Sequence, residues 1–83
     1  MSISVHYFAS LREALGLAQE TIELSDSVVD VAAVRALLAA RGGDWASLSS
    51  MRFRAALNQS LVGESAMVKD GDELAFFPPV TGG

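Results

Sequence analysis

The chain has 83 residues and a formal net charge of −4, which allows one small domain with a core of modest size. Thirteen of its hydrophobic residues are alanines, so the core is expected to be compact, with little space for an enclosed catalytic cavity. No basic run could neutralise a row of phosphates, which argues against a nucleic-acid partner. The absence of cysteine excludes disulfides, a thiolate nucleophile and cysteine-ligated metal within this sequence.

The first residues do not have the pattern of a targeting signal. Residues 1–8 alternate in character and have neither a basic n-region nor an apolar h-region. No apolar stretch approaches the roughly 20 residues that span a bilayer, so no membrane partner is expected. The sequence predicts a cytoplasmic protein.

The first quarter of the chain predicts two antiparallel strands joined by a short helix. Alternation of Ile3, Val5 and Tyr7 with polar neighbours indicates a half-buried strand. Residues 11–16 contain helix formers closed by a glycine, which predicts a single helical turn. Residues 21–24 alternate again and form the second predicted strand.

The middle of the chain predicts one substantial helix, capped by Asp30 and ended by Gly42–Gly43. Its expected apolar face consists of Val31, Val34, Leu37, Leu38 and the aliphatic stem of Arg41. Asp44 is then expected to cap a short turn whose residues Trp45 and Leu48 pack in the core.

The last third predicts three short strands, at residues 54–57, 60–62 and 73–77. Asn58–Gln59 separates the first two, and residues 69–72 form a turn in which Gly71 adopts a positive φ. Pro78–Pro79 must end the last strand because proline has no N–H to donate. The element order favours an α+β fold, a mixed sheet laid across one main helix in the manner of a ubiquitin-like β-grasp domain, with residues 1–77 as the domain and 78–83 as an extended tail.

The tail is the candidate site of chemistry. Two prolines favour an extended conformation, so residues 77–83 could project about 20 Å. Gly82 and Gly83 lack Cβ atoms, which lets the backbone and the terminal carboxylate pass through a narrow channel. A carboxylate is a poor electrophile, but adenylation followed by attack of a sulfur donor would convert it to a thiocarboxylate. The competing interpretation of the glycine pair alone is a frayed end or a cloning remnant.

Three segments together resemble the MoaD family, the small subunits of molybdopterin synthase. They are YFASLRE at residues 7–13, RAALNQSLV at 54–62 and DGDELAFFPPVTGG at 70–83. The last string is the terminal signature of that family. The resemblance covers essentially the full length and implies a sulfur carrier that works through Gly83.

The resemblance further implies how such a carrier works. Gly83 would be adenylated by a MoeB-like activating enzyme that uses ATP, then thiocarboxylated by a sulfur donor protein. The tail would next enter a MoaE-like large subunit, within a heterotetramer, and deliver sulfur to cyclic pyranopterin monophosphate. Catalytic side chains belong to the large subunit in this family, so the chain would be a non-catalytic co-substrate subunit with no bound cofactor or metal.

By the same resemblance, Phe8, Leu61 and Phe77 match an apolar docking face, and residues Pro78, Pro79, Val80 and Thr81 match the inserted tail. Ordinary core packing is the alternative for the three apolar residues. For Phe77 docking is favoured, because neighbouring strand residues point to opposite faces and only Phe76 or Phe77 can enter a one-sided core.

The remaining polar candidates have simpler interpretations. Arg12 could form an intermolecular ion pair or be a solvated arginine. His6 is the only histidine, with no second ligand type near it in sequence, so it is not expected to bind metal. The carboxylates of Asp70, Asp72 and Glu73 are expected to be turn and surface charges that could steer a basic partner.

Three other functions are compatible with parts of the sequence. The chain could carry sulfur for thiazole, cysteine or tRNA thiolation, although the segment FPPVT favours MoaD. It could be a ubiquitin-like modifier joined to lysines through Gly83, because both routes use an acyl-adenylate. It could also be a noncovalent β-grasp binding module, which would not need Gly82 and Gly83.

Overall fold

The computed structural model describes residues 1–28 and 30–79. The elements are β1 (Ser2–Tyr7), α1 (Ala9–Leu15), β2 (Gln19–Glu23), α2 (Val31–Ala39), a 3₁₀ helix (Gly43–Ser49), β3 (Arg54–Leu57), β4 (Ser60–Val62) and β5 (Glu73–Phe77). All five predicted strands are present, and the bounds of β3, β4 and β5 are those predicted.

The five strands form one mixed sheet in the order β2-β1-β5-β3-β4. β1 and β5 are parallel, and the other three pairs are antiparallel. β3 and β4 are joined by Asn58 and Gln59, both with positive φ, as the tight two-residue hairpin turn requires. The last strand therefore lies in the centre of the sheet, hydrogen-bonded on both edges.

Helix α2 covers the inner face of the sheet. Its predicted cap is confirmed, since Oδ1 of Asp30 accepts a hydrogen bond from the Ala33 N–H at 2.8 Å. Its buried residues are Val31, Val34, Arg35 and Leu38. The prediction that Leu37 belongs to the buried face is wrong, because Arg35 takes an inward position and Leu37 is 45% exposed.

The ends of the helical segments differ from the predictions. α2 ends at Ala39 rather than at the glycine pair, because the N–H groups of Arg41 and Gly42 bond to carbonyls three residues back and tighten the last turn. Asp44 does not cap the 3₁₀ helix with its side chain; Gly42 precedes that helix with φ 79°. α1 begins two residues earlier than predicted, and Gly16 closes it at φ 68° as expected.

Arg35 is the one buried charged residue in the described part of the chain, with 4% exposure. Its guanidinium donates to the carbonyls of Leu48, Ser50 and Phe53 at 3.0, 3.1 and 2.6 Å. It also donates to both carboxylate oxygens of Glu64, at 2.8 and 2.9 Å. All five donors are therefore used, which ties α2 to the 3₁₀ helix and to the loop after β4.

Within the described ranges, no helix is long and apolar enough to cross a membrane.

Candidate docking face and C-terminal tail

Strand β5 presents different residues on its two faces. Leu74 and Phe76 point inward and have no exposed surface. Ala75 and Phe77 alternate with them on the outer face, and Phe77 is half-buried without belonging to the core cluster. The predicted opposition of Phe76 and Phe77 is confirmed, and the docking role of Phe77 stays a prediction.

Strand register arranges the outer face in two rows. One row follows the pairings of His6 with Ala75, Ala75 with Ala56 and Ala56 with Leu61. The adjacent row contains Phe77 and its partner Arg54. On the other side of Phe77 stands Phe8, whose N–H donates to the Phe76 carbonyl at 3.2 Å.

The apolar members of these rows share one face of the sheet and are here called the outer-face patch: Phe8, Ala56, Leu61, Ala75 and Phe77. Phe8 is 46% exposed and Leu61 58% exposed. The small residues Ala56, which is half-buried, and Ala75, which is only 8% exposed, lie between the larger side chains. Grouped exposed apolar residues on a small protein are typical of a protein-binding surface.

His6 and Glu73 form the polar margin of the patch. Nε2 of His6 lies 3.6 Å from Oε1 of Glu73, and its ring is nearly parallel to that of Phe8, with centroids 6.4 Å apart. Across residues 1–28 and 30–79, no group of three or more possible ligands is arranged to hold a metal ion.

The turn before β5 is held by its own carboxylates. Oδ1 of Asp70 accepts from the Ser2 N–H at 2.8 Å, while Asp72 accepts from the Lys69 N–H at 2.8 Å and from Nδ2 of Asn58 at 3.0 Å. The hydrogen bond from Asn58, with that from Lys69, lowers the pKa of Asp72. Both aspartates thus hold the turn that precedes β5, as predicted for turn carboxylates.

A second polar cluster closes the edge of the sheet near the end of β1. The Tyr7 hydroxyl donates to Oε2 of Glu20 at 2.8 Å, and Arg41 donates to the same oxygen at 2.8 Å. The Arg41 guanidinium lies 4.4 Å from the centre of the Trp45 ring, which meets Tyr7 edge-on. Burial, together with the hydrogen bond to Glu20, raises the pKa of Tyr7. Trp45 packs against the core as predicted.

Two exposed arginines flank the patch. Arg12 lies in α1, and its N–H bonds to the Phe8 carbonyl at 3.4 Å. Arg54 was not predicted from the sequence as a site residue. Its place could have been found from the two-residue turn at Asn58–Gln59, which pairs Ala56 with Leu61 and so puts Arg54 on the same face.

The tail follows directly from the patch. Pro78 and Pro79 come after β5 and have no secondary structure. The predictions for Val80, Thr81, Gly82 and Gly83 lie outside the described residues. The division into a domain of residues 1–77 and a tail of 78–83 stays a prediction.

Comparison with known proteins agrees with the resemblance seen in the sequence. The model of the ThiS family matches residues 5–83. The chain is 44% identical to the molybdopterin synthase sulfur carrier subunit of Haemophilus influenzae, over 98% of this chain and 99% of that protein. It is 43% identical to the protein of the same name from Escherichia coli, with the same coverage.

Three solved structures share the fold. A putative molybdopterin converting factor, subunit 1, from Pyrococcus furiosus has a TM-score of 0.81 and 26% identity, covering 96% of this chain and 99% of that one. A complex of subunits 1 and 2 of the molybdopterin-converting factor from Helicobacter pylori has a TM-score of 0.69 and 26% identity over the full length of both chains. The small archaeal modifier protein 1 of H. volcanii has a TM-score of 0.69 and 25% identity, covering 95% and 98%. The resemblance to MoaD is confirmed: this chain belongs to the ThiS family and has the β-grasp fold of its ubiquitin-like relatives.

Proposed function

We propose that this chain is the sulfur carrier subunit of a molybdopterin synthase. The observation that carries the proposal is the 44% identity to a protein of that name along almost the whole length of both chains. The position of β5 supports it, because the central strand ends at Phe77 on the outer face and passes straight into the tail.

The reacting group in this proposal is the α-carboxylate of Gly83. Its oxygen attacks the α-phosphate of ATP on a MoeB-like enzyme, which forms an acyl-adenylate and releases pyrophosphate. Hydrosulfide supplied by the sulfur donor then attacks the carbonyl carbon and expels AMP, leaving a thiocarboxylate. Gly82 has no side chain to obstruct either approach.

Delivery takes place on a MoaE-like large subunit. Phe8, Leu61 and Phe77 bind that subunit, and residues 78–81 guide the terminus into its active site. The thiocarboxylate sulfur attacks a carbon of the pterin precursor, cyclic pyranopterin monophosphate, and displaces an oxygen from it. Water then cleaves the bond between that sulfur and the Gly83 carbonyl carbon, which returns the carboxylate and leaves the sulfur on the pterin. Two such transfers complete the dithiolene. The complex of subunits 1 and 2 from Helicobacter pylori supports an assembly of this kind, and we expect a heterotetramer.

Intact-mass spectrometry tests the chemical step. After incubation with the activating enzyme, ATP and a sulfur source, one oxygen of the Gly83 carboxylate should be replaced by sulfur. A matched variant with one residue added after Gly83 should fold equally well and remain unmodified. An unchanged mass of the natural chain, with partners shown to be competent on another carrier, would refute the proposal.

A ubiquitin-like modifier is the second candidate function, favoured by the structural similarity to a small archaeal modifier protein. It predicts isopeptide adducts between Gly83 and lysines of other proteins, visible on denaturing gels of cells lacking proteolysis. A carrier for thiazole, cysteine or tRNA thiolation would instead be modified by sulfur but fail to convert the pterin precursor with the large subunit. A noncovalent module would keep full activity without Gly82 and Gly83.

A further inference from the structure

Arg54 lies at a corner of the outer-face patch, beside Phe77. It is the first residue of β3, and its Cα pairs with that of Phe77 on β5. The strand on its other side, β4, carries Leu61. Leu61 pairs with Ala56, which lies two residues along β3 on the same face, so Leu61 is a diagonal neighbour of Arg54, about 7 to 8 Å away. A surface that covers both Phe77 and Leu61 therefore passes beside Arg54, within reach of its long side chain.

Within the described residues Arg54 has no hydrogen-bond or ion-pair partner for its guanidinium, and it is exposed. Arg35 and Arg41 differ from Arg54 in this respect. Arg35 is paired with Glu64 and Arg41 with Glu20, both at 2.8 Å. The described residues thus supply a carboxylate to the buried Arg35 and to the exposed Arg41, and none to Arg54.

Covering the patch would remove water from Arg54. A guanidinium that loses its water without gaining an acceptor is strongly destabilising, whereas a carboxylate in hydrogen-bond range offsets much of that cost. We propose that the large subunit places a carboxylate opposite Arg54, and that this ion pair selects the partner and fixes its register on the sheet. The inference rests on the proposed function and deepens it.

The distribution of charge supports an acidic surface on the partner at this end of the sheet. Arg12, Arg52 and Arg54 are exposed near the end of β5, where the tail leaves. Asp70, Asp72 and Glu73 lie at the opposite end of that strand. Because the chain as a whole carries −4, a uniformly acidic partner would be repelled, so the complementary carboxylates should be confined to the entrance that receives the tail.

The test compares Arg54→Glu and Arg54→Ala with Lys69→Glu in the full chain. Lys69→Glu changes the net charge by the same amount as Arg54→Glu, but at the far end of β5. Affinity for the large subunit is measured by calorimetry at low and high salt. We expect Arg54→Ala to weaken binding about 10- to 100-fold and Arg54→Glu to weaken it further, with Lys69→Glu within about threefold of the natural chain. Changing one acidic residue of the large subunit to lysine should restore binding of Arg54→Glu.

The outcomes separate the two proposals. If the natural chain does not bind the large subunit, the proposed function fails. If it binds and the Arg54 variants bind equally well, with unchanged circular dichroism and thermal unfolding, only the ion pair is refuted. A concentration-dependent dimer of the natural chain in sedimentation, abolished by Arg54→Glu, would show that the carboxylate belongs to a second copy and would also overturn the inference.

Discussion

The inner and outer faces of the sheet are made by alternate residues of the same strands, yet they differ in burial and in how their charged groups are paired. On the inner face Phe76 is fully buried and the charged residue Arg35 has every donor bonded. On the outer face Phe8 and Leu61 are about half exposed, and Arg54 has no acceptor among the described residues. The polar groups of Arg35 on the inner face are paired within the chain. The outer face instead exposes apolar side chains and an arginine, as a protein-binding surface does. Substitutions of two neighbouring strand residues should therefore have different effects: the inward one should lower stability, and the outward one should weaken binding.

Neighbouring phenylalanines give the largest expected contrast. Phe76→Ala should lower the free energy of unfolding by about 3 to 5 kcal/mol, because it leaves a cavity beneath the sheet. Phe77→Ala should cost less than about 1 kcal/mol but weaken binding to the large subunit by about 2 kcal/mol or more. Urea denaturation followed by fluorescence of Trp45, the single tryptophan, measures the first effect and calorimetry the second. Equal losses of stability would contradict the assignment of faces.

Arg35 tests whether the inner polar network stabilises the fold. Arg35→Met should lower the free energy of unfolding by about 3 kcal/mol, since it leaves three carbonyls and Glu64 without their donor. Arg52→Met is the matched control: Arg52 is exposed and only lies over the Phe53 ring, so its loss should cost less than about 1 kcal/mol. A stable Arg35→Met protein would show that the network is dispensable.

Tyr7 is buried and is the only tyrosine, so its ionisation can be followed by titration as a probe of the protein interior. Its pKa is raised in the folded state, so the neutral phenol should persist through the pH range near 10 in which an unfolded chain ionises. The stabilisation is present below the unfolded pKa and is lost as pH rises towards the folded one. Phenolate absorbance should thus appear together with alkaline unfolding. Ionisation near pH 10 in the folded protein would refute the buried hydrogen bond to Glu20.

Substitution of Asp72 is expected to have the smallest effect on stability. Its pKa is lowered in the folded state by Asn58 and Lys69, so its contribution to stability is present above the unfolded pKa, near 3.8, and is lost as pH falls below it. The difference in unfolding midpoint between the natural chain and Asp72→Asn should shrink between neutral pH and pH about 3. Asp26→Asn, a substitution of an exposed aspartate, serves as control. A difference in unfolding midpoint that does not change with pH would contradict the lowered pKa of Asp72.

The strands were predictable because their signals are local. Alternation at Ile3, Val5 and Tyr7, the Asn58–Gln59 turn and the proline stop after Phe77 each depend on a few adjacent residues. The partition of Phe76 and Phe77 followed from the same alternation. These signals were enough to predict the strands of the sheet. The resemblance to MoaD added which apolar residues could lie on its outer face.

What the sequence left hidden depends on residues distant along the chain. Arg35 enters the core only because carbonyls from residues 48–53 and the carboxylate of Glu64 converge on it. That convergence turns the helix so that Leu37 faces outward. Arg54 became a candidate once strand pairing had placed it beside Phe77, on the face that carries Leu61.

The central position of β5 also has a consequence for biosynthesis. Until residues 73–77 leave the ribosome, β1 with β2 and β3 with β4 are two separate antiparallel pairs with no strand to join them. Pairing of sequence-distant strands is slow compared with local contacts, so the nascent domain should stay open until its last strand arrives. Proteins truncated before Phe77 would then be recognised as unfolded and degraded, and those that fold would carry β5 at full length.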